Sequence, residues 1–147
     1  MLQVSKVNEK AILPNRAHAD DAGLDLFSCE SVVLKPGLPT KVKTGISFAI
    51  PIAYVGLIRD RSSMGSKGIS VLGGVIDSGY RGEVQVILIN LTKEDYQINI
   101  ADKIAQILIM PVSLEMPKEV HSFEDLRIDS NQSFNSRGSK GFGSSGR

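Results

Sequence analysis

The segment Gly73-Gly-Val-Ile-Asp-Ser-Gly-Tyr-Arg-Gly-Glu83 carries the most chemistry in this chain. Asp77 follows two apolar residues beside a turn, where partial desolvation would suit its carboxylate to act as a general base on water. Tyr80 lies three residues on, placed to return across a hairpin and offer its ring to a ligand. Gly73 and Gly74 lack a Cβ, so main-chain N–H and C=O groups there can come close to a base edge. The same residues also read as a well-made hairpin with incidental polar side chains.

Three upstream or downstream clusters add to it. In Asp60-Arg-Ser-Ser-Met-Gly65 a strand is followed by a guanidinium, two hydroxyls and a possible helix start. Arg61, Ser62 and Ser63 together make a compact anion site, although the Gly-Lys-Ser/Thr of a P-loop is missing. In Asp20-Asp-Ala-Gly-Leu-Asp-Leu-Phe-Ser28, Asp20 and Asp21 suit a turn that Gly23 bends. Asp25 then enters a strand among apolar neighbours, as an ordinary turn residue or as a carboxylate holding the water shell of a hard cation such as Mg²⁺. Gln106 interrupts an apolar strand, so its amide must find partners; it is either satisfied structurally or orients a bound water.

The last eleven residues, Arg137-Gly-Ser-Lys-Gly-Phe-Gly-Ser-Ser-Gly-Arg147, hold four glycines, three serines, three cations and one aromatic. Alone, such a stretch buries too little apolar surface to order itself, and it reads as a frayed tail. It also has what a triphosphorylated base needs: Arg137 and Lys140 for phosphate, glycine backbone for close approach, and Phe142 for stacking.

Other chemistries find little footing. The chain has two histidines, His18 and His121, and one cysteine, Cys29, so neither a Ser-His-Asp arrangement nor a zinc site is favoured. A formal net charge of +1 over 147 residues offers no global field for nucleic acid or an anionic membrane. The apolar run Ile104 to Val112 is far too short to span a bilayer, and the N-terminus lacks a targeting pattern. The expectation is a soluble, intracellular protein that binds neither membrane nor nucleic acid.

Strands must position these groups. Val32–Leu34, Thr44–Ile50, Tyr54–Ile58, Glu83–Asn90 and Lys103–Met110 are short, rich in β-branched residues and separated by Gly, Pro, Asn or Asp. That pattern predicts an all-β sandwich or barrel. Helix signals are confined to Ser62–Gly65, with Ser as its cap, and Ser122–Leu126. Apolar residues nearly vanish from Arg127, which places a domain at 1–126 and an arm at 127–147. An arm of that length reaches on the order of tens of Å, enough to cross onto a neighbouring subunit.

Taken in order, Ala22-Gly-Leu-Asp-Leu26, Arg61-Ser-Ser-Met-Gly65, Gly74-Val-Ile-Asp-Ser-Gly-Tyr-Arg-Gly-Glu83, Asp102-Lys-Ile-Ala-Gln106 and the tail 137–146 resemble the five motifs of the homotrimeric dUTPase family. The resemblance covers nearly the whole chain. It implies a distorted β-barrel, jelly-roll-like subunit, a homotrimer with shared active sites, Mg²⁺, and cleavage of dUTP to dUMP and pyrophosphate, which limits uracil in DNA. By the same resemblance Asp77 activates the water that attacks the α-phosphorus and Gln106 helps to hold it. Tyr80 packs under deoxyribose, and the backbone of Gly74, Val75, Ile76 and Asp77 reads uracil. Arg61, Ser62 and Ser63 bind phosphate from a neighbouring subunit, and Asp25 holds Mg²⁺ through water. Arg137 clamps the γ-phosphate, Phe142 stacks on uracil, and Gly143 and Ser144 add phosphate contacts, so the arm acts as a lid. Ser63, Gly79 and Lys140 depart from the commonest residues of the motifs. Two other readings are a dCTP deaminase of the same fold and a non-enzymatic β-barrel binding module. The deaminase needs a glutamate where this chain has Ile87, which cannot transfer a proton.

Overall fold

The computed structural model describes residues 2–122. The chain divides into two compact units, Met1–Leu114 and Glu115–Arg147; every strand among the described residues belongs to the first. The expected turn at Ser122–Leu126 lies, after Ser122, outside the described residues, as does the whole of 127–147.

Short aliphatic and β-branched runs, each stopped by Gly, Pro, Asn or Asp, form ten strands and one helical turn among the described residues. They are β1 (Gln3–Lys6), β2 (Leu24–Phe27), β3 (Val32–Leu34), β4 (Thr40–Ala49), β5 (Tyr54–Arg59), α1 (Ser62–Gly65), β6 (Ile69–Leu72), β7 (Val75–Ile76), β8 (Val84–Asn90), β9 (Tyr96–Ile98) and β10 (Lys103–Pro111). One sheet runs β1-β4-β8-β6, a second β2-β10-β5-β7, and β3 pairs with β9 in a ribbon. Every strand pair is antiparallel. The architecture is all-β and jelly-roll-like, and its distortion is that the sheets do not close into one continuous barrel.

All three sheets feed a single core. Val42, Ile46, Phe48, Val84, Val86 and Leu88 come from the first, Leu26, Ile58, Ile104 and Ile107 from the second, and Leu34 and Ile98 from the ribbon. Along β8 the pleat alternates buried with half-buried residues, so Val84, Val86, Leu88 and Asn90 face the core while Gln85, Ile87 and Ile89 face outward. Asn90 is fully buried yet satisfied: its amide donates to the carbonyls of Leu34 and Glu94, and its oxygen accepts from Thr92.

One irregularity matters for the site. β4 shifts register against β8 between Lys43 and Ile46, with Gly45 at φ +67°. That conformation favours glycine, and a Cβ there would come within 2.7 Å of Ala11. The bulge turns the Gly45 N–H to Glu83 Oε1 (2.8 Å) and lets Thr44 Oγ1 donate to Val84 O (2.6 Å). The start of β8 is thereby fixed.

Candidate active site

Two groups of the expected residues emerge, at different ends of the second sheet. The first gathers where β5 runs out into α1. Asp60 ties that corner to β6, its carboxylate accepting from Val71 N (2.5 Å) and from the Ser70 hydroxyl (3.3 Å). Its own carbonyl accepts from Gln106 Nε2 at 2.8 Å. Gln106 is therefore held by the amide nitrogen, which leaves Oε1 as the acceptor toward the cleft. The seat for this side chain is Gly23: a Cβ there would overlap Gln106 Oε1 and lie 3.0 Å from its Cβ and Cδ.

Arg61, with extended φ/ψ of −86° and 138°, is the residue preceding α1, and no side chain caps the turn. The expected serine cap is thus corrected. The cap position needs extended backbone just before the first helical residue, and Arg61 already occupies it. Ser62 and Ser63 fall inside the turn, where Ser63 Oγ accepts from the Arg61 guanidinium at 3.2 Å. Arg61 Nε also meets Asp25 Oδ1 at 2.8 Å, and Lys103 Nζ meets Asp25 Oδ2 at 2.7 Å. Asp25, its side chain 12% exposed, thus lies between two cations, and Lys103 additionally sits over the Phe27 ring. Asp21, Asp25, Arg61, Ser62, Ser63 and Gln106 line one cavity of about 410 Å³. Lys103 was not singled out from the sequence; its spacing from Asp25 is too long to read, and only the pairing of β10 with β2 brings them together.

The second group surrounds β7. Gly74 O accepts from Ile58 N at 2.8 Å, and Gly74 has φ +101° with Ile58 O only 2.9 Å from where a Cβ would stand. Neither the conformation nor the space admits another residue. β7 lies at one edge of its sheet among the described residues, with β2 at the other. Gly56 pairs with Ile76 and Leu57 with Val75, and alternation in an antiparallel ladder turns the N–H and C=O of Val75 away from β5. Those groups can read a base edge.

Here the hairpin expected from the sequence is corrected. β7 pairs with β5, and β8 pairs with β4 and β6, so the two strands belong to different sheets. With both its edges occupied, β8 has none left for β7. Residues 77–83 form a crossing loop held by its own polar groups. Tyr80 N donates to Asp77 O (3.0 Å), and the Arg81 guanidinium donates to the carbonyls of Ser78 (2.6 Å) and Tyr80 (2.8 Å). Ser47 Oγ donates to Arg81 O (2.6 Å) and Tyr80 Oη to Glu83 O (2.9 Å). Arg81, Glu83 and Ser47 fasten this loop, which the sequence reading missed; a cation flanked by turn glycines was the available signal for Arg81. Val75, Ile76, Asp77, Tyr80, Lys41 and Ile87 line a second cavity of about 340 Å³. Asp77 is exposed, so the desolvation expected for it is not supplied by the described part of its own chain. It stands just past a two-residue edge strand, and no described residue is packed over it.

Asp77 and Gln106 do not share a cavity. Gln106 is level with Arg59 on β5, while Asp77 follows Ile76, which is level with Gly56. The separation is about 13 Å along the strands and about 10 Å across them, too far for one water to touch both. Arg137, Phe142, Gly143 and Ser144 lie outside the described residues. Cys29 is 4% exposed, and burial, then the charges of Glu83 and Glu30, raise its thiol pKa, so it is no nucleophile. No group of three or more His, Cys, Asp or Glu suited to holding a metal occurs among the described residues.

A family model described as dUTPase matches residues 9–146. The chain belongs to the dUTPase family. It is 44% identical to the deoxyuridine 5′-triphosphate nucleotidohydrolase of Mycobacterium marinum, over 99% of this chain and 94% of that protein. Its fold is similar to that of Staphylococcus bacteriophage 80alpha dUTPase solved with dUPNHPP, with a TM-score of 0.87 and 34% identity over 100% of this chain and 99% of the other. It is also similar to the dUTPase of phage phi11 of S. aureus, whose D95N mutant coordinates a structural Mg(II) ion, with a TM-score of 0.79 and 35% identity over 84% and 99% of the two chains. For a dUTPase family member, the five motifs thus sort into one cluster built by the first, second and fourth and another built by the third, with the fifth outside the described residues.

Proposed function

We infer that this chain hydrolyses dUTP to dUMP and pyrophosphate, with water attacking the α-phosphorus. The observation that carries this reading is the second cavity. It places a carboxylate, Asp77, an aromatic ring, Tyr80, and outward main-chain groups on β7 around one space, in a chain that matches the dUTPase family along nearly its full length. A dUTP analogue bound to the phage 80alpha relative agrees with it. Ile87 lines the same cavity, so the position a deaminase needs for proton transfer is apolar, and the deaminase reading is not favoured.

Asp77 takes the proton from the attacking water, and Gln106 accepts a hydrogen bond from that water through Oε1. Because the two lie in separate cavities of one chain, the reading requires that Asp77 of one subunit face Gln106, Arg61, Ser62 and Ser63 of another. A homotrimer with sites between subunits meets that need. The Arg61 fork and the two hydroxyls bind the triphosphate; Val75 offers its outward N–H and C=O to uracil, and Gly74 and Ile76 hold that edge in place through their pairing with β5. The arm 127–147 closes over the bound nucleotide, with Arg137 on the γ-phosphate, Phe142 on the base, and Gly143 and Ser144 on phosphate.

The residues present fit Mg²⁺ held mostly by water and triphosphate oxygens, with Asp25 accepting from its waters. Each Asp25 oxygen spends one lone pair on Arg61 or Lys103 and keeps another. When bound, the ion neutralises phosphate charge and orients the chain of phosphates. No helix among the described residues is long and apolar enough to cross a membrane. Pyrophosphate release measured with dUTP, dCTP, dTTP and UTP in the presence of Mg²⁺ tests the assignment. Turnover should be confined largely to dUTP, and ammonia release from dCTP would overturn it.

A further inference from the structure

Gly82 has no conformational reason to be glycine. Unlike Gly45 and Gly74, its φ is outside the left-handed region. What excludes a side chain is the Tyr80 ring: a Cβ at residue 82 would overlap Oη, stand 2.6 Å from Cζ and 3.0 Å from Cε2. The ring is laid back over the glycine and fastened there by Oη donating to Glu83 O at 2.9 Å. Tyr80 is 45% exposed, and it lines the cavity that also holds Asp77. An obstacle at residue 82 would therefore move an exposed ring rather than break the core.

We propose that Gly82 is a positioning residue for sugar selectivity: by seating the Tyr80 ring it keeps out a nucleoside triphosphate that carries a 2′-hydroxyl. This rests on the reading above that Tyr80 packs under deoxyribose. Gly82 touches no substrate in this role; it acts through the ring. Gly79, on the other side of Tyr80, supplies the control, because a Cβ there meets nothing within 4 Å and its φ is likewise unexceptional.

The test is the ratio of kcat/KM for dUTP to kcat/KM for UTP, with Mg²⁺, in Gly82→Ala, Gly79→Ala, Tyr80→Ala and the Gly82→Ala/Tyr80→Ala double variant. Gly82→Ala should lower the ratio about tenfold or more, the range expected for a small steric change in a binding pocket. Gly79→Ala should keep the parental ratio. In the Tyr80→Ala background there is no ring to displace, so adding Gly82→Ala should change the ratio no further. A purely structural glycine would depress both substrates together and leave the ratio intact, which overturns the proposal, as does a further fall in the double variant. If Tyr80→Ala itself leaves the ratio unchanged, the reading of Tyr80 fails and the proposal falls with it. If Tyr80→Ala relaxes the ratio and Gly82→Ala does not, the seat alone is refuted.

Discussion

Asp77 and Gln106 are supported in opposite ways. Gln106 is fixed through its amide nitrogen by Asp60 and fitted against Gly23, whereas Asp77 stands exposed on a loop tied down by Arg81, Ser47 and Glu83. Asp77→Asn should cut pyrophosphate release about 10²–10⁴-fold, the range for loss of a general base, while calorimetry still detects dUTP binding; near-normal turnover would remove Asp77 from the role. Gly23→Ala presses on Gln106 rather than on substrate. It should lower kcat with a much smaller change in KM, and a kcat equal to the parent's would show that the amide needs no such seat.

At the scale of elements, the strands were readable because β-branched residues crowd into short runs between turn formers, and β3, β5, β8 and β10 fall close to where those runs lie. Which strands pair was not readable. Val75-Ile76, a two-glycine approach and a Ser-Gly turn look locally like one arm of a hairpin with β8, but pairing is decided by β4 and β6, which already fill both edges of β8. Likewise Asp25 could be picked out by type, while its two cations come from residues 36 and 78 positions away, through sheet pairing. The exposure of Asp77 was missed because burial depends on what packs above β7, not on the two apolar residues before it. The arm belongs to this scale as well. Removing residues 137–147 should cut turnover steeply while the far-UV circular dichroism and subunit assembly stay as in the full chain; a fully active truncation would refute the lid.

For the whole molecule, the proposed pairing of the two clusters across subunits makes catalysis a property of the assembly. Asp77→Asn and Gln106→Ala, each expected to be strongly impaired alone, should complement when co-expressed. Random mixing in a cyclic trimer gives about a quarter of the sites an intact Asp77 opposite an intact Gln106. No recovery in mixed trimers would place both residues of a working site on one chain. The β7 edge has a bearing on association of a different sort. A free strand edge invites addition of a foreign strand, and long, flat, apolar edges are the usual sites of such mispairing. Here the strand has two residues, and glycines with positive φ precede it. It can offer main-chain groups to something the size of a base, yet it is too short to hold an extended peptide. The brevity that leaves Asp77 uncovered by the described residues therefore also keeps this edge from becoming a template for aggregation.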